Sequence, residues 1–106
     1  NAAQLLADAK AVADAGAFAV VVESVPAAVG AELTATLAVP TVGIGAGPGC
    51  DGQVLVFHDL LGLYADFTPK FVKKYADLGA AATAGLAAFV REVRAGTFPG
   101  PEHSFR

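Results

Sequence analysis

Charge is scarce in this 106-residue chain: only 16% of its residues are charged, and seven Lys and Arg face ten Asp and Glu for a net charge of −3. With a pI near 5.1, the chain has no electrostatic footprint for nucleic acid. Cysteine is limited to Cys50, which excludes an intrachain disulfide and any cysteine-cluster metal site. Long apolar runs are missing too. The longest charge-free stretch in a helical region, Leu78 to Val90, has 13 residues, whereas a spanning helix needs about 20. No membrane segment is therefore expected. No basic stretch followed by an apolar one opens the chain, so no signal peptide is visible, and a soluble cytoplasmic protein is the plain reading. The first residue is Asn1 rather than Met, and a helical pattern begins almost at once. Both features fit a chain that has lost an upstream portion.

What is present is apolar and small. Hydrophobic residues make up 55% of the chain, and the mean hydropathy of +0.55 provides for a packed core rather than a disordered tail. Ala, Val and Gly dominate, which suits closely packed helix–strand layers. Leu5, Ala9, Val12 and Gly16 recur at helical spacing, with Asn1 placed to cap that helix and Gly16 to end it. The run Ala17 to Val22 is apolar at every position, as in a parallel strand covered on both faces, and Glu23 ends it. Pro26 suits the first turn of a second helix whose stripe is Val29, Leu33 and Leu37. Thr41 to Gly45 then reads as a second short buried strand, completing a βαβ unit and hence an α/β fold with a parallel sheet.

Ala46 to Gly52 is a loop, and Val54 to Phe57 is a candidate third strand, followed by a short helix from about His58 to Gly62. The loop is shorter than the dozen or so residues of a normal parallel crossover. Either the connection is atypical or the third strand is misplaced. Thr68-Pro69 offers another helix start with Phe71, Tyr75 and Leu78 at helical spacing; equally, the segment is irregular and Asp77 caps the helix that follows. The last helix carries Leu86, Phe89, Val90 and Val93 and stops at Gly96, and residues 97–106 read as a coil tail. Three buried strands cannot close a barrel, which takes eight strands and about 250 residues, and they leave apolar sheet edges open. The apolar content favours a piece of a larger domain.

Glu23 leads the chemical candidates. A carboxylate at the C-terminal end of a buried parallel strand lies where α/β active sites are built, and desolvation there would strengthen it as a base. From position alone an ordinary rim acid is the commoner outcome. Gly43-Ile44-Gly45-Ala46-Gly47 superficially resembles a dinucleotide loop, but no helix opens from its glycines and no acidic residue about 20 residues on is placed within a βαβ unit to take a ribose hydroxyl. It offers instead a strand end that a backbone or ligand can approach closely, or simply a tight turn. His58 and Asp59 would point to opposite faces of a strand, so a structural histidine and a capping aspartate are the better reading. Cys50 and Asp51 read as a turn, Glu102-His103-Ser104 as surface residues, and Lys70, Lys73 and Lys74 as a solvated face.

Five motifs nevertheless occur together in order: Glu23-Ser24-Val25-Pro26, Val42-Gly43-Ile44-Gly45-Ala46-Gly47, Asp51-Gly52-Gln53-Val54-Leu55-Val56, Pro69-Lys70-Phe71-Val72-Lys73, and Phe98-Pro99-Gly100-Pro101-Glu102-His103-Ser104-Phe105. In this register the chain closely resembles the C-terminal part of the ketopantoate hydroxymethyltransferase family. The resemblance implies the last three or so strands of a TIM-type (β/α)₈ barrel, with residues 1–106 forming one portion of a single domain. It implies one-carbon transfer from 5,10-methylenetetrahydrofolate to 3-methyl-2-oxobutanoate, giving 2-dehydropantoate on the way to pantothenate. It implies Mg²⁺ held by ligands upstream of Asn1, a homo-oligomer that is often a decamer, and Glu23 as the proton acceptor of the Glu-x-Val-Pro motif. Two other readings stand beside it: a related barrel lyase acting on phosphoenolpyruvate-like or 2-oxo acids, and a non-catalytic assembly or binding remnant.

Overall fold

Asn1 begins the first element as expected. Its side-chain oxygen accepts a hydrogen bond from the Gln4 amide at 2.8 Å, starting helix α1, Ala2–Asp14. The computed structural model describes all of residues 1–106. The chain then runs through strand β1 (Val20–Glu23), helix α2 (Ala27–Thr36), strands β2 (Thr41–Ile44) and β3 (Gly52–Gln53), and helices α3 (Phe57–Leu60) and α4 (Leu78–Ala95). It divides into two compact units. The first comprises Asn1–Val56 with Lys70–Val72, and the second Phe57–Pro69 with Lys73–Arg106.

The first unit is a three-stranded, all-parallel sheet in the order β1-β2-β3. Val20 pairs with Thr41 and Glu23 with Ile44. The fold is therefore mixed α/β with a small parallel sheet, as the βαβ pattern requires, but the sheet is open and no barrel is formed. Its core lies on the helix-facing side, where Ala9 of α1, Val22 of β1, Leu33 of α2 and Ala46 are buried together. The expectation that β1 is covered on both faces fails. Successive strand side chains point to opposite faces, and Val21 is 64% exposed while Val22 is buried. The segment's uniform apolarity reflects a second face that these residues leave uncovered.

The third strand also differs from expectation. β3 is only Gly52–Gln53, paired in parallel with Val42 and Gly43. One further ladder bond runs from the Val54 amide to the Gly43 carbonyl at 3.0 Å. The apolar run from Val54 to Phe57 does not extend the strand: Leu55 and Val56 are irregular and Phe57 already begins α3. The short connection after β2 is thus an atypical crossover without a helix.

Helix α2 lies close against that connection. A Cβ placed on Gly30 would run into the backbone carbonyl oxygen of Ala46, so only glycine permits this approach. In the second unit the segment before α4 is irregular, and Asp77 stands at the helix N-cap position, although its side chain makes no capping hydrogen bond. That matches the irregular alternative rather than a helix opening at Thr68. The Tyr75, Leu78 and Gly79 amides donate to the carbonyls of Leu60, Leu61 and Gly62. α4 ends at Gly96 with φ of 74°, as a C-terminal glycine should. Within 97–106, expected as coil, Pro101–His103 forms a 3₁₀ turn, and Phe98 packs tilted on His103 at 5.1 Å between ring centroids.

Substituting Gly30→Ala separates helix propensity from packing. Alanine favours the helix by about 1 kcal/mol, whereas overpacking against fixed backbone costs about 1–3 kcal/mol. Urea denaturation should show a lower midpoint for Gly30→Ala; a higher one would mean that α2 moves freely off the loop.

Candidate active site at the strand ends

The C-terminal ends of β1 and β2 lie side by side because the two strands are parallel and in register up to Glu23 and Ile44. Glu23 is the last residue of β1, and its side chain is exposed on the face carrying Val21. Burial within this chain does not desolvate the carboxylate, contrary to the reasoning from a buried strand end. Its position at the strand edge is as expected.

The residue after it carries a signal absent from any composition argument. Ser24 has φ of 54°, the one non-glycine residue at positive φ, while its amide still donates to the Ile44 carbonyl at 2.9 Å. Holding a non-glycine residue in this conformation costs roughly 1–2 kcal/mol, and such outliers gather at functional sites. The turn bends the chain sharply just past Glu23. Ser24, Val25, Gly45, Gly47, Lys70 and Phe71 together line a cleft of about 460 Å³. All six belong to the first unit. Gly45, at φ of 66°, is covered by the Phe71 ring: a Cβ there would lie 2.6 Å from the ring.

A second cleft of similar volume shares Gly45, Gly47 and Phe71 and adds Cys50, Asp51 and Gln53 among others. The Gln53 side-chain amide donates to the Gly47 carbonyl at 2.9 Å and pins the glycine loop. The loop's return is fixed by Thr41, whose side chain is fully buried. Asp51 Oδ2 accepts from the Thr41 amide at 2.8 Å and from its hydroxyl at 3.3 Å, and the Asp51 amide donates to Thr41 Oγ1 at 3.2 Å. Thr34 of α2 lies 2.7 Å from the same hydroxyl and donates to the Gly30 carbonyl. Asp51 is therefore part of a defined clamp, more than the turn residue its sequence context indicates.

His58, Asp59, Glu102, His103 and Ser104 belong to the second unit. His58 and Asp59 lie on the short helix α3, not on a strand, with His58 exposed beside Phe57 at 5.7 Å between rings. Glu102 and His103 pair at 3.5 Å in the 3₁₀ turn, and Ser104 donates to the Gly100 carbonyl. Lys70, Lys73 and Lys74 are all exposed, as a solvated face requires; Lys70 also lines the cleft, and Lys73 lies 4.9 Å over the Tyr75 ring. Sequence reasoning missed Ser24, Lys70 and Phe71 as site residues. Only the Pro69-Lys70-Phe71 motif pointed towards the last two.

A strand-end acid beside a strained turn and a glycine-floored cleft defines a parallel α/β protein with a candidate active-site edge. The family model for ketopantoate hydroxymethyltransferase matches residues 1–101, and the chain belongs to that family. It is 62% identical to the 3-methyl-2-oxobutanoate hydroxymethyltransferase of Paracoccus denitrificans over 99% of its own length and 38% of that protein. The protein of the same name from Agrobacterium fabrum is 64% identical over 93% of the chain and 36% of its own length. That from Chloroflexus aggregans is 57% identical over the whole chain and 38% of its own length. The chain thus spans well under half the length of these curated relatives.

The clamp has a measurable consequence. Thr41→Val keeps the shape but leaves the Asp51 amide without its partner, while the Thr34 hydroxyl keeps only the Gly30 carbonyl. The loss should be about 1–3 kcal/mol, read as a shift in the urea midpoint; an unchanged midpoint would show that Thr41 Oγ1 contributes nothing.

Proposed function

We propose that this chain supplies the proton-accepting edge of an enzyme transferring a hydroxymethyl group from 5,10-methylenetetrahydrofolate to 3-methyl-2-oxobutanoate. The product would be 2-dehydropantoate, on the route to pantothenate. The observation that carries the reading is the position of Glu23. It is the last residue of β1, level with Ile44 and followed by the left-handed Ser24, inside the region matched by the family. In this reading the Glu23 carboxylate takes the proton from the carbon next to the ketone. The electron pair left behind forms the new C–C bond to the donor's methylene carbon, water supplies the hydroxyl, both C–N bonds to that carbon break, and the protons lost by the substrate carbon and by water pass to the two nitrogens. The strained turn and the pinned glycine loop keep the carboxylate and the neighbouring cleft in fixed relation, which is how positioning lowers a barrier.

A TIM-type barrel completed by further strands belongs to the same proposal, supported by the parallel sheet and by the uncovered face bearing Val21 and Glu23. A cytoplasmic homo-oligomer also belongs to it. The exposed stripe of Leu86, Phe89, Val90 and Val93 on α4 suits packing against another surface. The magnesium implied by the resemblance does not fit the residues of this chain: no group of three or more His, Cys, Asp or Glu could hold a metal. No step is derived through it. No helix is long and apolar enough to cross a membrane.

Glu23→Gln tests the assignment in a complete enzyme in which these 106 residues replace the matching segment of the Paracoccus denitrificans relative. Loss of a general base should lower turnover about 10²–10⁴-fold with the circular dichroism spectrum unchanged. Undiminished turnover would leave Glu23 as a rim acid.

A further inference from the structure

The cleft beside Glu23 has a composition that proton abstraction does not explain. Its floor is the bare backbone of Gly45, one wall is the ring of Phe71, and Lys70 and Ser24 line it. Lys70 forms no ion pair within 4.0 Å; the chain's ion pair joins His103 and Glu102. A free cation beside an aromatic plate and a hydroxyl suits a ligand that presents a flat ring and a carboxylate together. Phe71 is 38% exposed, which leaves part of the residue open to a ligand.

Given the hydroxymethyl-transfer reading, on which this inference rests, two substrates compete for the cleft. The 2-oxo acid is a small branched aliphatic molecule. It has no ring to set against Phe71 and would fill only a small part of about 460 Å³. The one-carbon donor is long, aromatic and anionic. Phe71, Gly45 and Gly47 are common to this cleft and to the one lined by Cys50, Asp51 and Gln53, so a ligand longer than either can run past the ring. We propose that Phe71 and Lys70, with Ser24, form the binding site for the aromatic, carboxylate-bearing part of the one-carbon donor. Phe71 stacks on its ring and Lys70 binds its carboxylate. The cleft starts one residue after Glu23, so a donor seated there brings its reactive carbon to the edge where the carbanion forms.

The probe is p-aminobenzoylglutamate, an unreactive molecule with the donor's ring and carboxylates. It is titrated calorimetrically into the same complete enzyme, in parallel with 3-methyl-2-oxobutanoate. Lys70→Glu should weaken the probe at least about tenfold, with Lys70→Arg restoring most of the affinity. Phe71→Leu should weaken it several-fold, and 2-oxo acid binding should be unaffected by all three. Unchanged probe affinity, loss of the 2-oxo acid instead, or no binding of the probe by the unsubstituted enzyme would overturn the proposal. Should a substituted enzyme fail to fold, amide chemical shifts of the unsubstituted enzyme provide the second readout. Gly45, Gly47 and Phe71 should move on adding the probe, and their immobility would overturn the assignment. Specific probe binding in an enzyme that makes no 2-dehydropantoate would retain this site while refuting the proposed reaction.

Discussion

Thr41 is fully buried, and its hydroxyl joins three parts of the chain that would otherwise be independent. It meets Thr34 near the end of α2, it opens β2, and it receives the amide of Asp51 just before β3. A buried polar group is tolerated only when its hydrogen bonds are made, so the position of each part is conditional on the others. With Thr41 satisfied, the loop leaving β2 must return within seven residues, from Gly45 to Asp51. It does so without a helix, and β3 pairs at the register of Val42 with Gly52. The glycine loop, the Gln53 contact and both clefts follow from that return.

This dependence explains which features are legible in the residues alone. The βαβ order, the N-cap at Asn1, the stop at Gly96 and the strand-end placement of Glu23 are local consequences of periodicity and capping. The third strand is harder, because Val54 to Phe57 has strand-like composition and yet is not the segment that pairs. Pairing is dictated instead by the clamp between Thr41 and Asp51, a long-range contact that no short window of sequence contains. The uncovered face of β1 looks buried in the sequence because apolar residues report only that a surface prefers to leave water. Whether these same residues supply the cover is a separate matter.

The site shows the same division. Glu23 stands out because a charge ends an apolar run. Ser24 is ordinary in composition and exceptional only in its φ of 54°. Lys70 and Phe71 reach the cleft across more than twenty residues of intervening chain, so their role depends on a tertiary approach to Gly45. The catalytic role proposed for Glu23 rests on the family resemblance, and geometry added the neighbours.

The central proposal is that the Glu23 edge is a portion of an active site that works only when joined to the rest of a barrel. Its most direct test is complementation. The 106-residue chain is mixed with the separately produced remainder of the Paracoccus denitrificans relative, and folate-dependent formation of 2-dehydropantoate is measured. The account predicts no detectable product from either piece alone and turnover from the two together. Product from the 106-residue chain alone would contradict it.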